Sequence, residues 1–152
     1  MGAAYFYHLT RRSLPDTLRM LLSKSRANGW RVVVRGSREA GLQALDTALW
    51  EVPGDGFLPH GMAGGPHDAD QPVLLTTKPD SPNAPQCLMA VEGAEVTAQE
   101  VAALERVCIL FDGNDAEAVD HARGQWKALK EAGAAAQYWS EESGSWEMKA
   151  QT

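Results

Sequence analysis

Trp30-Arg31-Val32-Val33-Val34 is a short β-branched run, with Asn28-Gly29 before it and Ser37 after it, and it reads as a buried strand. Upstream, Leu14, Leu18, Leu21 and Leu22 recur at the spacing of an amphipathic helix that stops at Asn28-Gly29, where Asn and Gly tolerate the left-handed cap conformation. Further upstream, residues 4 to 9 are aromatic-rich and end at Thr10-Arg11-Arg12-Ser13, which fits a first strand running into a helix start. Downstream, Ser37 is a candidate N-cap for a second helix with Leu42, Leu45 and Leu49 on one face. Strand, helix, strand, helix at this spacing predicts an α/β fold, a mostly parallel sheet flanked by helices.

The texture changes between Pro53 and Pro85, which hold seven of the eight prolines and five glycines. Continuous helices are excluded there, so short strands are expected at Phe57-Leu58 and at residues 73 to 77, joined by long loops. The regular pattern returns with two buried-strand runs, residues 87 to 91 and 107 to 111. Between them Thr97-Ala98-Gln99-Glu100 has the capping-box spacing, predicting a brief helix near 98 to 104. The turn Asp112-Gly113-Asn114-Asp115 then leads into a helix from about 115 to 132, with Asp115 and Glu117 well placed against its N-terminus. A last strand at Ala136-Gln137-Tyr138-Trp139 and a Ser143-Gly144 turn precede Trp146 and a polar tail.

A chain of 152 residues suits one domain, 1–152, with an elaborated Pro/Gly-rich loop region at about 53–86. Hydrophobic residues make up 44% and charged residues 22%, which argues against a disordered, collagenous or coiled-coil chain. No apolar run approaches the roughly 18 residues of a membrane span. Met1-Gly2-Ala3-Ala4-Tyr5-Phe6 reads neither as a signal peptide nor as a lipidation signal, and two cysteines, Cys87 and Cys108, are too few for a disulfide scaffold. A cytoplasmic protein is expected.

The net charge of −6 is unevenly spread: residues 1 to 38 hold eight Arg or Lys against Asp16 alone, or +7, and the remainder six against nineteen, or −13. Such a chain is poorly suited to gripping phosphates over a broad surface. Neither glycine fingerprint of a nucleotide site follows the first strand, and Gly61-Met62-Ala63-Gly64-Gly65 has no Lys-Ser partner. His8, His60, His67 and His121 form no metal-binding spacing, so no metal and no cofactor are expected. No activated Ser or Cys context is present either.

The helix at 115 to 132 is more informative. Val119, Ala122, Trp126 and Leu129 share one face, while Arg123, Lys127 and Lys130 form a basic stripe beside it. Three cations flanking a Trp at the border of an apolar face suit an acidic, aromatic-containing peptide; core packing plus solvated cations is the other reading. Arg12, Arg19 and Arg26, spaced by seven, read as a solvent-facing stripe of the first helix.

Tyr5-Phe6-Tyr7, Gly29-Trp30-Arg31-Val32, Leu45-Asp46-Thr47-Ala48-Leu49-Trp50 and Phe57-Leu58-Pro59-His60 follow one another in an order that resembles the chi subunit family of bacterial DNA polymerase III. Phe111-Asp112-Gly113-Asn114-Asp115, Ala122-Arg123 with Trp126-Lys127, and Tyr138-Trp139 followed by Gly144 and Trp146 continue the match. These blocks cover most of the chain except roughly residues 64 to 104. The resemblance implies a chi-like, Rossmann-like α/β domain without a nucleotide site, acting as a non-catalytic accessory subunit in DNA replication. Members of that family link the clamp loader to the single-stranded-DNA-binding protein by holding its acidic C-terminal tail, which ends in Pro-Phe, so that DNA is contacted only indirectly.

The family's tail-binding arginine, aromatic and lysine fall on Arg123, Trp126 and Lys127, with Lys130 continuing the stripe; Trp126 stands where an exposed Tyr is typical. A second surface, for the psi subunit of the clamp loader or a helicase-like alternative, is carried over to Phe57 with the Phe111-Asp112 corner nearby. Two other readings remain at this point. One is a small nucleotide-acting enzyme on a Rossmann-like fold; the other is direct binding of single-stranded DNA by Arg12, Arg19 and Arg26.

Overall fold

The computed structural model describes residues 2–51 and 59–152. The first strand, β1, runs Ala3–Leu9, and helix α1, Leu14–Ala27, follows it. Strand β2 is Val32–Arg35 and helix α2 is Glu39–Trp50. Two short strands, β3 at Gly61–Met62 and β4 at Val73–Thr76, then precede β5 at Cys87–Ala90. Helix α3, Ala98–Ala103, leads to β6, Arg106–Asp112, and helix α4, Ala116–Glu131, leads to β7, Ala136–Ser140. Strand β8, Glu147–Gln151, completes the set.

The described strands form one mixed, mostly parallel sheet in the order β3-β4-β2-β5-β6-β1-β7-β8, with four helices against it, so the α/β reading holds. Among the described residues only the β7–β8 pair is antiparallel. Alternation along the strands splits the core in two, as a sheet covered on both faces requires. Val32, Val34, Tyr7 and Leu110 pack with Leu18, Leu22, Leu42 and Leu49 under α1 and α2. Val33, Phe6, Ile109 and Phe111 pack with Val101, Ala122 and Leu129 under α3 and α4. Among the described residues no helix is long and apolar enough to cross a membrane.

Local signals explain most boundaries. Ser13 caps α1 by accepting the Asp16 N–H, and Gly29 takes φ +77 after the Asn28 cap. Thr97 and Glu100 form the full capping box of α3. The loop-rich middle is fastened to β2: Asn83, fully buried, donates to the Val32 and Gln71 carbonyls, and Arg35 donates to the Pro79 carbonyl.

Four details depart from the sequence reading. Arg38, not Ser37, occupies the N-cap of α2, because the Ser37 hydroxyl is spent on the Glu92 carbonyl at 2.5 Å. The polar tail after Trp146 is a strand, held by pairing with β7 rather than by any apolar alternation of its own. The arginine stripe is broken: Arg12 precedes α1, Arg19 is tied to Asp16 and the Ala48 carbonyl, and Arg26 donates to the Trp30 carbonyl. Gly61–Met62 pairs with β4, whereas the strand expected at Phe57-Leu58 lies outside the described residues.

Candidate functional site

Helix α4 is placed by the turn before it. Asp115 caps the helix by accepting the Glu117 N–H at 3.0 Å, and Asp112 accepts the Asn114 N–H at 2.9 Å. The Gly113 N–H donates to the Leu9 carbonyl at 2.6 Å, drawing the turn onto the end of β1. A Cβ at position 113 would fall on the His8 ring, so this close approach requires glycine. The helix therefore lies across β6, β1 and β7 in a fixed register. Its Ala122, Gln125 and Leu129 are buried, Val119 and Trp126 are half-buried, and Arg123, Lys127 and Lys130 are exposed.

Beneath Trp126 lies an aromatic cluster that three adjacent strands assemble. Phe6 meets the Trp126 ring edge-on at 5.3 Å and stacks on Tyr138 at 6.4 Å. Tyr138 in turn stands edge-on to Trp126 at 6.0 Å and contacts Phe111 at 6.0 Å. A hydrogen bond of 2.7 Å joins the Tyr138 hydroxyl to Nδ1 of His8. Such edge-to-face pairs add roughly 0.5–1.5 kcal/mol each beyond the area they bury. The rings of Trp126 and Tyr138 thus belong partly to the core and partly to the surface.

Arg123 stands on the same side. Burial raises the Tyr138 phenol above its ordinary range, the Arg123 guanidinium draws it back and Glu142 pushes it up again, which places a positive charge beside the aromatic cluster. Arg123, Lys127 and Lys130 form no ion pair among the described residues, although the chain carries a net charge of −6. The site is a row of cations, without ion pairs among the described residues, along a half-open aromatic floor.

The carboxyl ends of the parallel strands are where an α/β sheet would hold a nucleotide. Here two of the backbone N–H groups after β1 have an acceptor within the chain. Glu141, 2% exposed, accepts the Arg12 N–H through Oε1 at 3.1 Å and the Thr10 N–H through Oε2 at 3.4 Å. Among the described residues no group of three or more His, Cys, Asp or Glu side chains could hold a metal ion.

The family described as DNA polymerase III chi subunit, HolC, matches residues 1–137. The chain belongs to the DNA polymerase III chi subunit family. No curated protein matches the sequence. Chi subunits are non-catalytic accessory members of the polymerase III holoenzyme, which is the setting the sequence resemblance implied. The match spans every described element up to the middle of β7 and so includes α4 with Arg123, Trp126 and Lys127.

The second surface expected from the chi resemblance is not drawn together by the described residues. Phe111 is buried, at 6% exposure, in the cluster under α4, and Asp112 is exposed at the end of β6. Phe57 lies outside the described residues. Trp50, just before that segment, ends α2 on the opposite face of the sheet, 51% exposed, with its ring 4.1 Å from that of His60. Sequence reasoning missed Trp50 because it ends a helix whose leucine stripe points inward. It also missed His8 and Tyr138 as site residues, since both read simply as strand positions.

Proposed function

We propose that the chain ties the clamp loader to single-stranded-DNA-binding protein by holding that protein's acidic C-terminal tail on α4, within the cytoplasmic replication machinery and as a single domain over residues 1–152. One observation carries this reading: Arg123 and Lys127, without ion-pair partners among the described residues, flank half-buried Trp126 over the Phe6–Tyr138 floor. Acidic side chains of the tail would lie against Arg123, Lys127 and Lys130, and its terminal Pro-Phe against the Trp126 and Tyr138 rings. The aromatic floor takes the apolar end and the cations fix direction and register, a division of labour usual for short charged peptides.

The test is a calorimetric titration of the 152-residue protein with an acidic peptide ending in Pro-Phe. Affinity is expected in the micromolar range, about −8 kcal/mol. Arg123→Glu and Lys127→Glu should each weaken it by about tenfold or more while changing stability by no more than ~0.5 kcal/mol, as befits exposed sites. Raising salt should weaken the complex and leave a residual affinity from the apolar end. Tail binding unchanged in both charge reversals would remove the site from α4.

For the second partner, psi or a helicase-like equivalent, we propose the surface around Phe57, which Trp50 adjoins in sequence. The Phe111-Asp112 corner at the end of β6 belongs to the same proposal. Phe57→Ala with a retained circular-dichroism spectrum should lose clamp-loader association and keep tail binding.

A further inference from the structure

We propose that the amino ends of β1, β2 and β6, on the α1 side of the sheet, hold a short run of nucleotides of single-stranded nucleic acid. Arg106, the first residue of β6, lays its guanidinium over two rings at once. Its Cζ is 4.5 Å from the centroid of the Tyr5 ring and 5.4 Å from that of Trp30. Arg26 is drawn to the same place, donating through Nη1 to the Trp30 carbonyl at 2.8 Å. Lys24, exposed, shares the last turn of α1 with Arg26.

These charges are not neutralised by the chain. The Arg106 guanidinium has no hydrogen-bond or ion-pair partner among the described residues, and Lys24 and Arg26 have no ion pair among them. Glu105, exposed beside Arg106 in the chain, pairs with none of the three. Asp16, the one acidic residue among the first 38, sits in the first turn of α1 and is held by Arg19. Two arginines nearby take no part: Arg19 is spent on Asp16 and the Ala48 carbonyl, and Arg31 on the Ala69 and Asn83 carbonyls. Tyr5, Trp30, Arg26 and Arg106 are all half-buried, so the core on the α1 side holds the rings while part of each side chain reaches solvent.

The arrangement selects the ligand. A guanidinium lying on the rings themselves asks for a partner that carries negative charge and a π-face close together and repeats the pair along its length. Each nucleotide does so: its phosphate answers the cations and its base stacks on a ring or on the guanidinium plane. An acidic peptide with one terminal aromatic keeps charge and ring at different ends. With −13 carried by residues 39–152, the grip is local, limited to the phosphates that Lys24, Arg26 and Arg106 reach. The inference is independent of the tail site, because Tyr5 and Trp30 pack on the core under α1 and α2 and Trp126 on the core under α3 and α4.

The test follows a short fluorescein-labelled oligothymidylate by anisotropy as the full chain is added, with no other protein present. Log K should fall against log salt with a slope of about −2, the counterion release expected of three cations on a single strand. Arg106→Gln should weaken binding several-fold and reduce the slope by about 0.7. Arg26→Glu, on the surface of α1, should weaken it about tenfold and keeps the test open should Arg106→Gln fail to fold by circular dichroism. Both folded variants should hold the acidic Pro-Phe peptide as wild type does. With 5-iododeoxyuridine in the strand, photocrosslinks should fall on Tyr5 or Trp30. No binding, binding indifferent to salt, or crosslinks confined to other residues would each overturn the proposal. So would binding lost in Arg123→Glu with Lys127→Glu but kept in Arg26→Glu, or displacement of the strand by oligoglutamate at equal charge, which would make the patch a site for acidic peptides.

Discussion

The Tyr138 hydroxyl and the His8 Nδ1 lie 2.7 Å apart although 130 positions separate them in the chain. Parallel pairing of β1 with β7, which sets Phe6 opposite Tyr138, makes the contact possible. It pins the outer edge of the aromatic floor to β1, inside the sheet between β6 and β7.

The ionisation of Tyr138 reports on that edge. Burial raises its pKa above 10.0, and Arg123 counteracts part of the rise. Arg123→Ala is therefore expected to move the Tyr138 titration further upward, followed by the ring-carbon NMR signal. Because the folded-state value is raised, the associated stability is present at neutral pH and falls as pH climbs from about 10 through the folded value. An unmoved titration would mean that Arg123 does not face the floor.

Trp126→Ala should cost about 2 kcal/mol, less than a fully buried Trp, because the ring is half-exposed but loses Phe6 and Tyr138 as partners. Trp126→Tyr should retain most of both stability and tail affinity. Urea melts paired with peptide titration separate the two effects. Complete unfolding of the alanine variant would make the ring a core residue alone.

Glu141→Ala should destabilise the fold by about 2 kcal/mol, since it strips the Thr10 and Arg12 N–H groups of their acceptor. Glu141→Gln, which keeps one carbonyl oxygen, should recover part of the loss. Equal stability of wild type and alanine variant in urea would contradict the assigned role.

Glu100 supplies an acid-sensitive anchor. Its burial favours the neutral acid, but the Arg35 hydrogen bond, the Thr97 N–H and the Arg35 charge outweigh that and hold its pKa below 4.5. The contribution is present above pH 4.5 and lost as pH falls through the depressed folded value. Glu100→Gln should flatten that acid limb and cost about 1 kcal/mol at neutral pH, discounted because the side chain is 25% exposed. An acid limb as steep as that of wild type would place the sensitivity elsewhere.

The sheet was readable because its strands are buried on both faces and therefore stand out as apolar runs, Val32–Val34 and Val107–Phe111 above all. The helix ends were readable where the signal is a side chain on its own backbone, as at Thr97 with Glu100 and at Asp115. Long-range contacts were not. Nothing local says that Ser37 will meet Glu92 instead of capping α2, or that a polar tail will pair with β7. In the candidate site, Arg123, Trp126 and Lys127 were legible from helical spacing, whereas Tyr138 and His8 enter through strand register, which a single sequence does not encode position by position.

Glu141 also bears on how the protein answers to its surroundings. A sheet of this kind that completes itself with a bound nucleotide has a folding equilibrium that rises and falls with the nucleotide supply. Here a carboxylate supplied in covalent form, two residues beyond Trp139, gives the Thr10 and Arg12 N–H groups their acceptor. The stability that this contact supplies is then set by the chain itself and not by the concentration of any dissolved anion.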